Sequence, residues 1–89
     1  MRQILFSTQT TSDELEAAGG LTNGGSIVLA SHAGETWTLQ VEAPDGTWIS
    51  TAITFTANGI QSALAFERGL RYRLNGGTVG AEAWISENF

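Results

Sequence analysis

Few residues of this chain could take part in catalysis or metal binding, and they are scattered. His32 is the only histidine and there is no cysteine, so a zinc or copper site would lack a second ligand of the preferred type. His32 also falls in a turn predicted from His32 to Glu35, where an exposed polar residue is a simpler interpretation than a base or a ligand. The sequence therefore predicts no catalytic residue.

Carboxylates and glycines give equally weak signals for a ligand site. Asp13, Glu14, Glu16 and Asp45 do not follow the regular oxygen-ligand spacing of calcium loops, so we interpret them as solvated acidic groups. The glycine pairs at 19–20 and 24–25 lack the lysine and the long helix of a phosphate loop, and we interpret them as flexibility between an arm and a body. We expect no metal, no cofactor and no enzymatic activity.

Aromatic residues carry more information. Trp37 and Tyr72 fall in the inward phase of their predicted strands and are expected in the core. Trp48 opens a strand beside a turn and is expected to cap that core, with contact to a sugar or a partner as the alternative. Trp84 is out of phase with the residues expected to face inward, which are Val79, Ala81, Ala83 and Ile85.

Trp84 should therefore stand on an outer face beside Glu82, and Arg71 and Arg73 should point outward from the preceding strand. Two interpretations stay open and can coexist. An arginine could stack on the Trp84 indole within the chain, or the indole could contact a partner, because exposed tryptophan flanked by arginine is typical of interface hot spots.

The apolar run Ile4, Leu5 and Phe6 raises a similar question. It could be an edge strand of the body, which we favour, or an arm laid across a neighbouring molecule; either placement offers a way to assemble with another chain. The predicted interface residues are thus Ile4, Leu5, Phe6, Arg71, Arg73 and Trp84.

The elements that must position these residues are short strands. Thr36–Glu42 alternates apolar and polar residues, and Pro44-Asp45-Gly46 favours a tight return into 47–51, the strongest hairpin prediction. Asn58-Gly59 predicts a second hairpin joining 53–56 to 60–66, with Ile60, Leu64 and Phe66 facing inward.

Residues 70–74 and 78–86 supply two further strands, and Ser26–Ser31 and the N-terminal piece bring the total to seven or eight. The sequence predicts an all-β fold, a small antiparallel sandwich or barrel. Residues 1–25 would form an N-terminal strand or arm with an acidic, glycine-rich loop, and residues 26–89 the body. Within the first part, 13–18 could be a short capped helix or a loop.

Length and charge exclude several classes of protein. The 89 residues fit one domain with a thin core. Nine acidic residues oppose four arginines, there is no lysine, and the net charge of −5 disfavours nucleic acid as a partner. The apolar runs are too short to span a membrane, and the N-terminus is too short and polar for a signal peptide.

From Trp37 onward the chain resembles small structural proteins of tailed bacteriophage particles, in particular those that decorate or cement the capsid. The matching features are residues 37–41, 44–48, 55–59 and 68–73, followed by Gly76-Gly77. Residues 1–25 have no counterpart in this resemblance.

The resemblance implies a protein of the virion that binds the outer surface of the capsid, has the major capsid protein as its partner, and braces the shell against packaged DNA. It also implies symmetric copies, as dimers or trimers. A component of the tail, of the head-tail connection or of a fibre is the nearest alternative. A carbohydrate-binding module is the alternative from another class, and it predicts Trp48 and Trp84 exposed on one concave face.

Overall fold

The computed structural model describes residues 1–17, 22–32 and 34–86. Within these ranges the chain forms strands and no helix, which confirms the predicted all-β class. The strands are β1 (Arg2–Leu5), β2 (Leu15–Glu16), β3 (Thr22–Ala30), β4 (Trp37–Glu42), β5 (Trp48–Phe55), β6 (Gly59–Phe66), β7 (Arg71–Asn75) and β8 (Glu82–Ile85). The alternative of a short helix after Asp13 was wrong, because that segment contains β2.

The strands form two four-stranded antiparallel sheets. Sheet A has the order β1-β8-β3-β6 and sheet B the order β2-β7-β4-β5. The first strand pairs with the eighth, the second with the seventh, the third with the sixth and the fourth with the fifth. In addition, β3 pairs with β8 and β4 pairs with β7. This nested pairing is the topology of a jelly roll.

One hairpin joins consecutive strands, between β4 and β5, and it is the one predicted with most support. Gly46 has a φ of 88°, and its N–H donates to the Ala43 carbonyl at 2.9 Å. Asp45 Oδ1 accepts from the Thr47 N–H at 2.9 Å. Proline, aspartate and glycine here each fill a position that the turn favours.

The predicted second hairpin was wrong. β5 lies in sheet B and β6 in sheet A, so the chain at Asn58-Gly59 crosses from one sheet to the other. Ile60 was also misplaced: it is 58% exposed, whereas Leu64 and Phe66 are buried as expected. The reason is a bulge in β6. The register shifts between the pairs Gly25↔Leu64 and Ile27↔Gln61, and Ala63 has a φ of 58°. The side chains of β6 that face inward therefore change phase at the bulge.

The core lies between the sheets and is built from both. It includes Trp37 and Tyr72, as predicted. The rings of Phe66 and Tyr72 pack edge to face, with 5.0 Å between their centroids. The fully buried large side chains are Trp37, Phe66, Ile4, Leu5, Ile27, Leu29, Leu74 and Ile85. Val79 does not belong to this set, because it precedes β8 in a turn and is 54% exposed.

The N-terminal segment is built into the same sandwich. β1 is an edge strand of sheet A, the alternative that the sequence favoured for this run. Ser12 closes the side of the sandwich against β7: its N–H donates to the Leu74 carbonyl at 2.9 Å, and its Oγ accepts from the Leu74 N–H at 2.8 Å. The division drawn at residue 25 falls inside β3, so Gly24-Gly25 is strand and not a flexible connection, whereas Gly19-Gly20 lies outside the described residues.

Candidate functional site

The outer face of sheet A carries a row of side chains that crosses all four strands. Gln3 pairs with Trp84, Trp84 with Val28, and Val28 with Ile60. We call these four residues the Trp84 row. Because neighbouring strands lie about 4.8 Å apart, the row is about 14 Å long. Trp84 and Val28 are partly exposed and Ile60 is 58% exposed, so the row offers apolar surface to solvent.

Polar side chains border the three apolar residues of this row. Gln3 Nε2 donates to Glu82 Oε2 at 3.1 Å, and Glu82 is paired with Ala30. On the other side Ser86 Oγ accepts from the Ser26 N–H at 3.3 Å. An apolar centre with a tryptophan and a polar border is the usual anatomy of a protein–protein contact site.

The outer face of sheet B is different, because its side chains bind one another. The Arg73 guanidinium lies 4.2 Å from the centroid of the Trp48 ring, and Arg73 Nε donates to Gln40 Oε1 at 2.7 Å. Arg71 meets Glu14 at 3.1 Å and Glu42 at 3.4 Å. Such exposed ion pairs contribute little to stability, but they leave this face polar and Trp48 covered on one side.

The stacking partner predicted for Trp84 was therefore wrong. Arg71 and Arg73 do point outward, but β7 lies in sheet B and β8 in sheet A, so Arg73 stacks on Trp48 instead. The prediction that Trp48 caps the core was wrong too. Ile49 pairs with Val41 in the inward phase, which turns Trp48 to the outer face.

The six predicted interface residues do not form one surface. Ile4 and Leu5 are 1% and 0% exposed, so neither side chain can meet a partner while β1 stays in place, whereas Phe6 is 44% exposed. Trp84 lies on sheet A, and the two arginines lie on sheet B. Trp84 is accessible where the sequence placed it, on an outer face two residues from Glu82.

Val28 and Ile60 were missed by the sequence reasoning. The sequence contains a signal for Val28, because Ile27-Val28-Leu29 has apolar residues in both phases. A strand that is buried on one face only should alternate apolar and polar residues, so one face of this strand carries an exposed apolar side chain. Ile60 could not be placed without the bulge at Ala63.

The remaining candidates are His32 and the carboxylates. His32 lies in a hydrogen-bonded turn, where Nδ1 accepts from the Gly34 N–H at 3.1 Å, Nε2 meets the Glu35 carbonyl, and the backbone N–H donates to Asn58 Oδ1 at 2.7 Å. Among residues 1–17, 22–32 and 34–86, no three His, Asp or Glu side chains are grouped to hold a metal ion. A shallow depression between the turns at 42–46 and 69–71 is open to solvent.

Within the described part of the chain, no helix has the length and apolarity needed to cross a membrane.

No family model matches this chain, and searches of curated proteins and of solved structures found no match either. The resemblance to capsid decoration proteins thus has no support from these comparisons and stays a prediction.

Proposed function

We propose that this chain is a non-enzymatic structural protein of a phage virion, which binds the outer surface of the capsid and stabilises the shell. The observation that supports this most is the Trp84 row, an apolar strip with a polar border on an otherwise acidic molecule. We assign this row as the surface that meets the major capsid protein, because a partly exposed tryptophan beside aliphatic side chains is the usual centre of such contacts.

The topology is compatible with that role. Eight-stranded jelly rolls occur in viral capsid proteins, in lectins and in cupins, so the fold by itself favours no single one of these. The resemblance to decoration proteins, which rests on features such as the Pro44-Asp45-Gly46 turn, favours the first. The net charge of −5 suits a position outside the shell, away from DNA.

The sandwich also suits a bracing role on energetic grounds. A shell presents the same site many times, so weak contacts made by many identical copies sum to a large resistance against expansion. Neither a catalytic group nor a deep cavity is required for this.

The carbohydrate alternative predicted both tryptophans on one concave face. Trp48 lies on sheet B under Arg73, and Trp84 lies on sheet A, on the opposite side of the sandwich. The two rings therefore do not share a concave face, and the structure offers this alternative no support.

The test is made on virions of the phage that encodes the chain. Purified particles are separated into heads and tails, and the protein is quantified in each fraction by mass spectrometry. We expect it with the heads, in a fixed ratio to the major capsid protein. Heads that lack it should release DNA at a lower temperature than heads to which it has been added back.

Recovery with the tails would replace the proposal by the tail or connection alternative, and absence from both fractions would overturn it. Heads of unchanged thermal stability would contradict the bracing role and leave only attachment.

A further inference from the structure

The two sides of the sandwich differ in how their strand edges are covered. On the side of β1 and β2, Asp13 donates its N–H to the Ile4 carbonyl of β1 at 2.8 Å. On the other side β5 and β6 are the outermost strands of their sheets. There Gln61 Nε2 donates to the Thr54 carbonyl at 3.1 Å, at the end of β5 that leads into the crossover.

The opposite end of β5, Trp48–Ser50, keeps a regular ladder with β4 through Ser50↔Gln40, Ile49↔Val41 and Trp48↔Glu42. Among the described residues no strand pairs with its other edge. A bulge follows, because the three residues of β5 between Ser50 and Thr54 lie opposite the single residue of β4 between Thr38 and Gln40. This bulge limits pairing in the middle of β5 and leaves Trp48–Ser50 available.

Apart from the bulges in β5 and β6, this side of the molecule lacks the features that prevent strands from pairing between molecules. Natural edge strands are blunted by bulges, charged side chains or proline. No residue from Gly46 to Phe66, a stretch that contains both β5 and β6, is charged or is a proline.

Ile49 shows that the apolar layer is incomplete at this edge. Its pairing with Val41, which packs against the core, places Ile49 in the inward phase of sheet B. It is nevertheless 51% exposed. A strand added beside β5 would cover it.

We propose that two copies of this chain associate through the Trp48–Ser50 edge, antiparallel about a two-fold axis, so that the two B sheets become continuous. The occupant is a second copy, because a two-fold axis presents the same unpaired and uncharged strand edge from both sides. The net charge of −5 on each chain opposes association through faces that bear Glu14, Glu16 or Glu82, whereas residues 46–66 carry no charge that would oppose it at this edge. The proposal does not rest on the proposed function.

The test uses the full chain and sedimentation velocity, from micromolar concentration up to the solubility limit. We expect a reversible dimer, and we expect Ile49→Lys to raise its dissociation constant at least ~10-fold, because a lysine at a pairing edge opposes association. Ile60→Lys is the matched control: it changes an isoleucine of similar exposure on the other edge strand and should leave the dimer intact. Ser50→Lys serves as the second variant if Ile49→Lys fails to fold.

Single cysteines then locate the contact, because the chain has none of its own. Under mild oxidation Ile49→Cys or Ser50→Cys should form a disulfide-linked dimer faster than Ser62→Cys on β6. A wild-type chain that stays monomeric at every concentration overturns the proposal. A trimer, or a dimer that resists both lysine variants and cross-links best at Ser62, also overturns it.

Discussion

Gly76 lies against the buried indole of Trp37. A Cβ placed on Gly76 would be 2.6 Å from Trp37 Cε2 and 2.7 Å from Cε3, closer than real Cβ contacts allow. Trp37 is 0% exposed, so its ring is enclosed by the protein and cannot swing into solvent. The glycine at the end of β7 is therefore required by the largest side chain of the core.

Gly76→Ala should lower the free energy of unfolding by about 1–3 kcal/mol, the usual cost of overpacking a core. Gly59→Ala is the control, because no atom lies within 4 Å of its added Cβ and its φ is not positive. The control should change stability by less than about 0.5 kcal/mol in urea denaturation. Equal effects from both variants would contradict the packing argument.

Ser12→Ala should be costly although it removes a single oxygen. Its Oγ accepts from the Leu74 N–H, and Ser12 is 6% exposed, so alanine leaves a buried donor without that partner. We expect a loss of about 1–3 kcal/mol. Amide exchange at Leu74 should also accelerate relative to Tyr72. If Ser62→Ala, at an exposed serine, destabilises the fold as much, the role given to the Ser12 hydroxyl is wrong.

Arg73→Lys should be destabilising by about 0.5–1 kcal/mol, because lysine does not reproduce the planar stack on Trp48 or the bond from Nε to Gln40. Arg68→Lys, at an exposed position in the turn before β7, is the control. In a Trp48→Ala background the cost of Arg73→Lys should shrink, and an unchanged cost in this double-mutant cycle would show that the stack contributes nothing.

The pKa of Asp45 is lowered from its ordinary value of 3.8, mainly by the hydrogen bond from the Thr47 backbone N–H and then by the Thr47 side chain. A lowered folded pKa means that the carboxylate contributes stability above the unfolded pKa and loses it as the pH falls through the folded value. The difference in melting temperature between wild type and Asp45→Ala should therefore be largest near neutral pH and shrink as the pH falls below the ordinary pKa of 3.8. A difference that does not change with pH would contradict this assignment.

The local turn chemistry of the sequence predicted the β4–β5 hairpin and could not predict the rest of the topology. In this jelly roll all the remaining connections between consecutive described strands cross from one sheet to the other. Asn58-Gly59 favours a tight turn as strongly as Pro44-Asp45-Gly46 does. Whether the chain then forms a hairpin or a crossover depends on whether the next strand pairs with β5 or joins the other sheet across the core. That is a property of the whole chain.

The same limit explains the misplaced partner of Trp84. Strand phase correctly turned Arg73 and Trp84 outward, since side-chain alternation is local. Which outward side chains are neighbours depends on the sheet to which each strand belongs. Thr47-Trp48-Ile49 was ambiguous for a simpler reason, because adjacent apolar residues leave the inward phase undecided.

We propose that the outer face of sheet A meets a capsid, and the two partly exposed tryptophans allow a matched test. Wild type, Trp84→Ala and Trp48→Ala would be titrated onto heads of the encoding phage from which the protein has been removed, and bound protein measured after sedimentation. We predict that Trp84→Ala weakens binding at least ~30-fold, as for a hot-spot residue worth about 2 kcal/mol, while Trp48→Ala binds like wild type. Equal binding by Trp84→Ala and wild type, with both folded, would contradict the account.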